Sequence, residues 1–153
     1  MRPDRVFPSR IDAWLLGIVF AAALLPFGVG VVLWLNGAAK AVWLPILWGL
    51  VISVTMYALS WPMAYTFRPD HLHIRSGWLE WTVPYGSIRR AAPSANPLSG
   101  PAWSLRRVRI DQNAADFILV SPDDRESFIS ELAERCPHLV RAGAGLVPRP
   151  ASP

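Results

Sequence analysis

The sequence predicts an α+β membrane protein: a transmembrane helical hairpin, then a small bent antiparallel sheet with one C-terminal helix. Three observations carry this reading. Ala13 to Leu35 and Ala41 to Met63 are runs without an ionisable side chain. After Met63 the hydrophobic period drops to two, and short runs are punctuated by Pro, Gly, Asp and Ser. Phe128, Ile129, Leu132 and Cys136 then form one apolar stripe at helical spacing, ended by Pro137.

Residues 1–12 read as an N-terminal tail with Arg2, Arg5 and Arg10. The two spans, 13–35 and 41–63, form a hairpin over residues 13–63. Each span is about 34 Å long as a helix at about 1.5 Å per residue. That is enough to cross a hydrocarbon layer about 30 Å thick. Trp14 and Trp34 lie near the ends of the first span, and Trp43 and Trp61 near the ends of the second. Indole favours the boundary of lipid and water, because its body is apolar and its N–H needs a partner. The connector Asn36-Gly37-Ala38-Ala39-Lys40 is long enough to join antiparallel helices. Pro26 removes a backbone hydrogen bond inside the first span and is expected to kink it as a packing feature. Gly28 and Gly30 thin the surface behind it.

Ala21-Ala22-Ala23 resembles a signal-peptide cleavage site, but Asp12 abuts the apolar run and the run continues to Leu35. An uncleaved span is therefore expected. Arg2, Arg5 and Arg10 before the hairpin, and Arg68 and Arg75 after it, outnumber Lys40 in the connector. The positive flanks place both termini in the cytoplasm. The expected location is a bacterial cytoplasmic membrane, crossed more than once.

Of 153 residues, 52% are hydrophobic and 17% charged, which excludes a disordered chain. The net charge of +4 would suggest nucleic acid for a soluble protein. Beside two spans the anionic leaflet is the nearer partner, and no nucleic acid is expected. Cys136 is alone, so no intrachain disulfide and no zinc pattern exist.

A domain is expected over 64–139. Tyr65 and Phe67, Leu72 and Ile74, and Leu79, Trp81 and Val83 alternate with polar neighbours across turns at Pro69-Asp70 and Ser76-Gly77. Ser87 to Ala92 is a further short strand, Pro93 to Ala102 a loop, and Trp103 to Asp111 and Asp116 to Val120 two more strands. Ser121 is placed as helix cap, Pro122 in the first turn, and Asp123, Asp124 and Glu126 at the positive end of the dipole. Residues 140–153, rich in Gly, Pro and Ala, read as a flexible tail.

Three stretches resemble a known family. They are Val83-Pro84-Tyr85-Gly86-Ser87-Ile88; Trp103-Ser104-Leu105-Arg106-Arg107-Val108-Arg109-Ile110; and Val120-Ser121-Pro122-Asp123-Asp124 with Phe128-Ile129, Leu132 and Arg135-Cys136-Pro137. They are similar to the mid-domain turn, the Ser-x-x-Arg-apolar-x-Ile strand and the Ser-Pro-to-helix ending of bacterial PH-like domains of the YyaB type. Such domains are often found behind a pair of membrane helices. The resemblance covers Tyr65 to Leu139 and implies a PH-like bent sheet or half-barrel, with no established reaction or ligand. Asp111-Gln112-Asn113 departs from the aromatic residue often found there, so that hairpin is expected to turn early.

Candidate chemistry is sparse. Arg106, Arg107 and Arg109, with Arg89 and Arg90, form a basic cluster for anionic lipid headgroups or an acidic partner, since guanidinium matches phosphate with a planar fork of donors. The competing reading is a solvated face paired with Asp111 and Asp116. His71 and His73 share one strand face and are weak candidates for a metal. Without a third ligand nearby a solvated face is favoured, and no metal or cofactor is expected. Trp81 is assigned to the core and Trp78 to lipid or a partner. With no phosphate loop or nucleophile elbow in the sequence, catalysis is not expected. The expected function is a membrane-anchored, non-catalytic interaction module binding a membrane or cytoplasmic protein partner or anionic headgroups, with homo-oligomers open. The alternative is a small accessory subunit of a membrane transport or envelope complex, acting through its hairpin.

Overall fold

The computed structural model describes residues 3–96, 104–112 and 116–150. Trp103, Asn113, Arg2 and most of the Pro93 to Ala102 loop lie outside the described residues.

Helix α1 spans Ala13–Leu35 and α2 spans Trp43–Ser60, joined through a 3-10 turn at Ala39–Ala41. Both are long and apolar enough to cross a membrane, and only 6% of each apolar window is buried within the molecule. That exposure is the reverse of a soluble core helix, whose apolar face is covered. The hairpin closes through small residues. Gly30 faces Ile46, Pro45 and Val42, and Gly49 lies under the ring of Phe27, the residue after Pro26. α1 ends in a turn where Gly37, at φ +75°, takes the left-handed conformation and Ala38 N–H donates to Leu33 O. Trp14, Trp34, Trp43 and Trp61 are all exposed at the helix ends. The second helix stops at Ser60, short of the expected Met63, because Met63 joins a strand and pairs with Ser76.

Among the described residues, nine strands form two antiparallel sheets. The first contains β1 (Arg5–Pro8), β2 (Met63–Phe67), β3 (His71–Ser76) and β4 (Leu79–Pro84), in that order. A 3-10 turn at Tyr85–Ser87, within the Val83 to Ile88 stretch, leads to the second sheet. Its members are β5 (Arg90–Ser94), β6 (Arg107–Asp111), β7 (Phe117–Val120), β8 (Leu139–Ala142) and β9 (Gly145–Pro148), in the order β7-β6-β5-β9-β8. Helix α3 (Arg125–Arg135) lies between β7 and β8 in the chain. One core takes Tyr65, Phe67, Leu72, Ile74 and Val83 from the first sheet, Ala91, Val108 and Ile110 from the second, and Phe128, Ile129 and Leu132 from α3. Trp81 is half-buried against it. The bent sheet with a helix against its core matches the expected fold class.

Three expectations are corrected. The segment read as an N-terminal tail contains a strand. Arg5–Pro8 pairs with β2 from Arg5↔Phe67 to Pro8↔Ala64, and buried Phe7 meets Phe67 and Phe128 edge-on at 5.5 Å each. The last segment is not a flexible tail either. β8 and β9 form a hairpin that adds to β5 through Ala91↔Leu146, because Leu139 and Leu146 are buried. Gly145 lets the backbones approach, since a side chain there would meet Ala91 O at 2.7 Å. The folded unit thus extends beyond 64–139 at both ends. Finally, α3 is capped by Asp124, whose Oδ1 accepts from Ser127 N–H at 3.1 Å. Ser121 is not the cap because the chain from Ser121 to Asp123 is still bonded to the N-terminal segment.

Candidate functional site

Two junctions join the helices to the sheets. At the base of α1, Arg10 N–H donates to Ser121 O at 2.7 Å, and Asp123 N–H donates to Pro8 O at 3.1 Å. Tyr65 Oη accepts from Ser121 N–H at 3.0 Å and lies 3.2 Å from Ser9 Oγ. Ser9 and Ser121 hydroxyls are 3.0 Å apart. Burial, opposed by the hydrogen bonds from Ser121 and Ser9, pushes the Tyr65 phenol above its usual pKa. Asp12 Oδ2 accepts from Leu105 N–H at 3.1 Å. The Ser104 hydroxyl, with this bond and Arg10, holds the Asp12 carboxyl below its ordinary pKa against the opposing effect of burial. At the base of α2 the β3–β4 turn caps the helix. Ser76 Oγ donates to Leu59 O at 2.9 Å, Gly77 N–H to Pro62 O at 2.9 Å and Trp78 N–H to Ala58 O at 3.1 Å. The bonds to Ala58 O and Leu59 O satisfy carbonyls that the last turn of a helix leaves open.

A third cluster fastens β1. Glu131 on α3 is buried and accepts from Arg135 Nε at 2.8 Å and Arg5 Nη1 at 2.9 Å. Arg135 also donates to Arg68 O and Pro3 O, and its guanidinium lies over Phe67 at 5.5 Å. Nearby, burial raises the Tyr85 phenol to about 12 and the Cys136 thiol to about 11. Tyr85 donates to Arg68 O at 2.7 Å. A thiol so placed is a core group, not a reactive one.

The structure does not gather the five arginines into one patch. Arg107 is 5% exposed. Its Nε donates to Ser104 O at 2.7 Å and its Nη1 to Asn96 O at 3.0 Å, and burial lowers its pKa from the usual arginine value. Its donors tie down loop backbone. Arg109 pairs with Asp111 at 2.6 Å and lies over Phe117 at 4.2 Å. Arg89, Arg90 and Arg106 are exposed but separate. Arg90 is registered with Asp111, whereas Arg106 precedes the opposite end of β6, where Arg107 pairs with Ser94. Four residues of strand, about 13 Å, lie between the two ends. Arg106 adjoins Leu105, which contacts Asp12 at the base of α1, so it lies at the helix-proximal end. There Arg106 and Arg125 line an open groove of about 440 Å³ with Asp123, Asp124 and Glu126.

His71 and His73 do share a face, with ring centroids 6.4 Å apart. Each has a carboxylate neighbour, Asp70 at 2.7 Å and Glu80 at 4.0 Å. Among the described residues, no group of three or more His, Cys, Asp and Glu is disposed to hold a metal. His138 bonds Ile88 O at 2.8 Å.

Sequence reasoning missed the two junctions. The signal was present in part: Ser121-Pro122 marks the segment that pairs with Ser9, and Ser76-Gly77 marks the turn that caps α2.

No curated protein and no solved structure matches the chain. Residues 63–136 match the family model of the bacterial PH domain, and PH domains are generally non-catalytic interaction modules.

Proposed function

We propose that the protein is a membrane-anchored, non-catalytic interaction module that presents a PH-like domain at the cytoplasmic face of a bacterial membrane. One observation carries this. β1 precedes the helical hairpin, β2 follows it, and the two pair in one sheet. Both ends of the hairpin therefore lie on the same side, with the folded domain, as a two-span protein requires. Burial of Phe7 also argues against removal of the first helix as a signal peptide, which would take β1 away. The arginines flanking the hairpin support a cytoplasmic domain. The Val83 to Ile88 turn and the Ser121-Pro122 ending support the YyaB type within bacterial PH-like domains.

The domain acts on what reaches it, since the junctions leave it no tether. Of the arginine set, Arg89 and Arg90 lie exposed at the end of the sheet away from α1, where an acidic protein partner is the fitting ligand. Arg106 lies toward the helices, where headgroups are nearer.

The test uses the full chain expressed in cells. Crosslinking in cells followed by purification should recover a partner that Arg89→Glu plus Arg90→Glu releases and Arg106→Glu keeps. Partner recovery unaffected by the double variant would remove the arginines from the reading. A cysteine at Ala38 that labels only after cell lysis would overturn the topology.

A further inference from the structure

We infer that the β3–β4 turn is a lipid-contacting foot, with Trp78 seated in the interface of the leaflet facing the domain. The inference rests on the reading that α1 and α2 span the membrane. Trp78 is 81% exposed, and Leu79 beside it is 45% exposed. An indole left this bare is costly in water and well suited to the headgroup boundary.

Its position is fixed by backbone bonds rather than by chance. Trp78 N–H donates to Ala58 O at 3.1 Å, two residues before the end of α2, so the turn packs against the last turn of that helix. Ser76 and Gly77 add two bonds to the same helix terminus. If α2 crosses the bilayer, Ala58 lies at its inner boundary, and Trp78 lies at that depth too. Trp61 on α2, Trp14 on α1 and Ile11 just before α1 are exposed at the same ends of the hairpin, so the turn continues an apolar belt. Arg75 is also exposed, with Nε 3.3 Å from Gly77 O, and brings a cation to the level of the lipid phosphates. The hairpin would then be joined to the sheet at its base and steadied by a third contact to one side, which holds the domain in one attitude to the membrane.

The test places an environment-sensitive fluorophore on Trp78→Cys, Val51→Cys and Asp70→Cys of the full chain. Each is reconstituted in vesicles of zwitterionic and anionic phospholipid carrying a nitroxide near the headgroup or deep in the acyl chain. Cys136 is fully buried, and unsubstituted protein measures its background. Val51 is exposed in the middle of α2, and Asp70 lies at the far end of β3. The Trp78 probe should lose at least roughly half its emission to the shallow nitroxide, as an interfacial residue does, while Asp70 stays bright and Val51 responds to the deep one. A Trp78 probe as bright as Asp70, with Val51 quenched, overturns this inference alone. An unquenched Val51 overturns the spanning reading with it. Should the cysteine variant misfold, the emission difference between wild type and Trp78→Phe in the same vesicles gives the same reading.

Discussion

The phenol of Tyr65 on β2 accepts the backbone N–H of Ser121 at 3.0 Å, and through it the segment before α1 is fastened to the segment before α3. Ser9 and Arg10, just before α1, bond the same serine. One buried hydroxyl thus links three segments distant in sequence.

Tyr65→Phe should therefore be more damaging than its loss of one oxygen suggests. The change removes the phenol oxygen that accepts the Ser121 N–H, at a cost of about 1–3 kcal/mol. Ser121→Ala keeps that N–H bonded and should cost less, about 0.5–1 kcal/mol. Denaturant unfolding of the detergent-solubilised chain, followed by near-ultraviolet circular dichroism, measures both. Equal effects of the two variants would show that the hydroxyl–hydroxyl contacts, not the amide, matter.

Glu131 sets an acid limit. Burial alone would raise its pKa, but the hydrogen bonds from Arg135 and Arg5 outweigh it and hold the carboxyl below its ordinary value of 4.5. A lowered folded pKa means stability that is fully present above that ordinary value and is lost as pH falls through the folded one. Glu131→Gln should lower stability by about 2 kcal/mol at neutral pH. Its curve should converge on that of wild type in acid, where both side chains are neutral. Parallel curves down to low pH would mean that the ion pairs add nothing.

Phe7→Ala tests whether β1 belongs to the folded unit. Its ring packs edge-on against Phe67 and Phe128 in the core, so the change should cost about 3–5 kcal/mol. Protease should then cut the domain faster while leaving the hairpin intact in membranes. A domain as resistant as wild type would mean that the N-terminal strand is dispensable.

These residues also show what the sequence made legible. The two long apolar helices were readable because about twenty uncharged residues in a row is a signal that needs no partner to interpret. β2, β3 and β4 were readable because one face is buried and the period is two. β1 and β9 carry one core side chain each, Phe7 and Leu146, and so few leave no period. That the arginines do not form one patch was hidden for a related reason. Alternation correctly put Arg107 and Arg109 on one face, but it does not say whether that face is solvated, and Arg107 is covered. Ser121 was misplaced because its favourable capping chemistry competes with pairing to Ser9, which lies over a hundred residues away and was invisible locally.

The hairpin offers a paired test. A methyl at Gly49 would lie 2.8 Å from the Phe27 ring, while one at Gly28 meets nothing within 4 Å. Gly49→Ala should loosen the hairpin and Gly28→Ala should not. Phe27→Leu should restore the first variant by making room. A cysteine crosslink between the helices, measured in membranes, reports their approach. Loss of crosslinking in Gly28→Ala would instead place a partner helix on that surface.

Gly77 and Gly143 separate backbone strain from steric overlap. Both sit in turns at nearly the same left-handed angle, φ +57° and +58°. A side chain at Gly143 meets nothing within 4 Å, whereas one at Gly77 would overlap the Ala58 carbonyl, the acceptor of Trp78 N–H. Gly143→Ala should therefore cost only the left-handed conformation, about 1–2 kcal/mol. Gly77→Ala should exceed that, because the turn must also move off the end of α2. The extra loss should appear as faster hydrogen exchange at Trp78 and Trp61, whose amides bond Ala58 O and Tyr57 O in the last turn of α2. Equal costs for the two glycines, with exchange at Trp78 unchanged, would mean that the turn and the helix are not joined in the way these hydrogen bonds require.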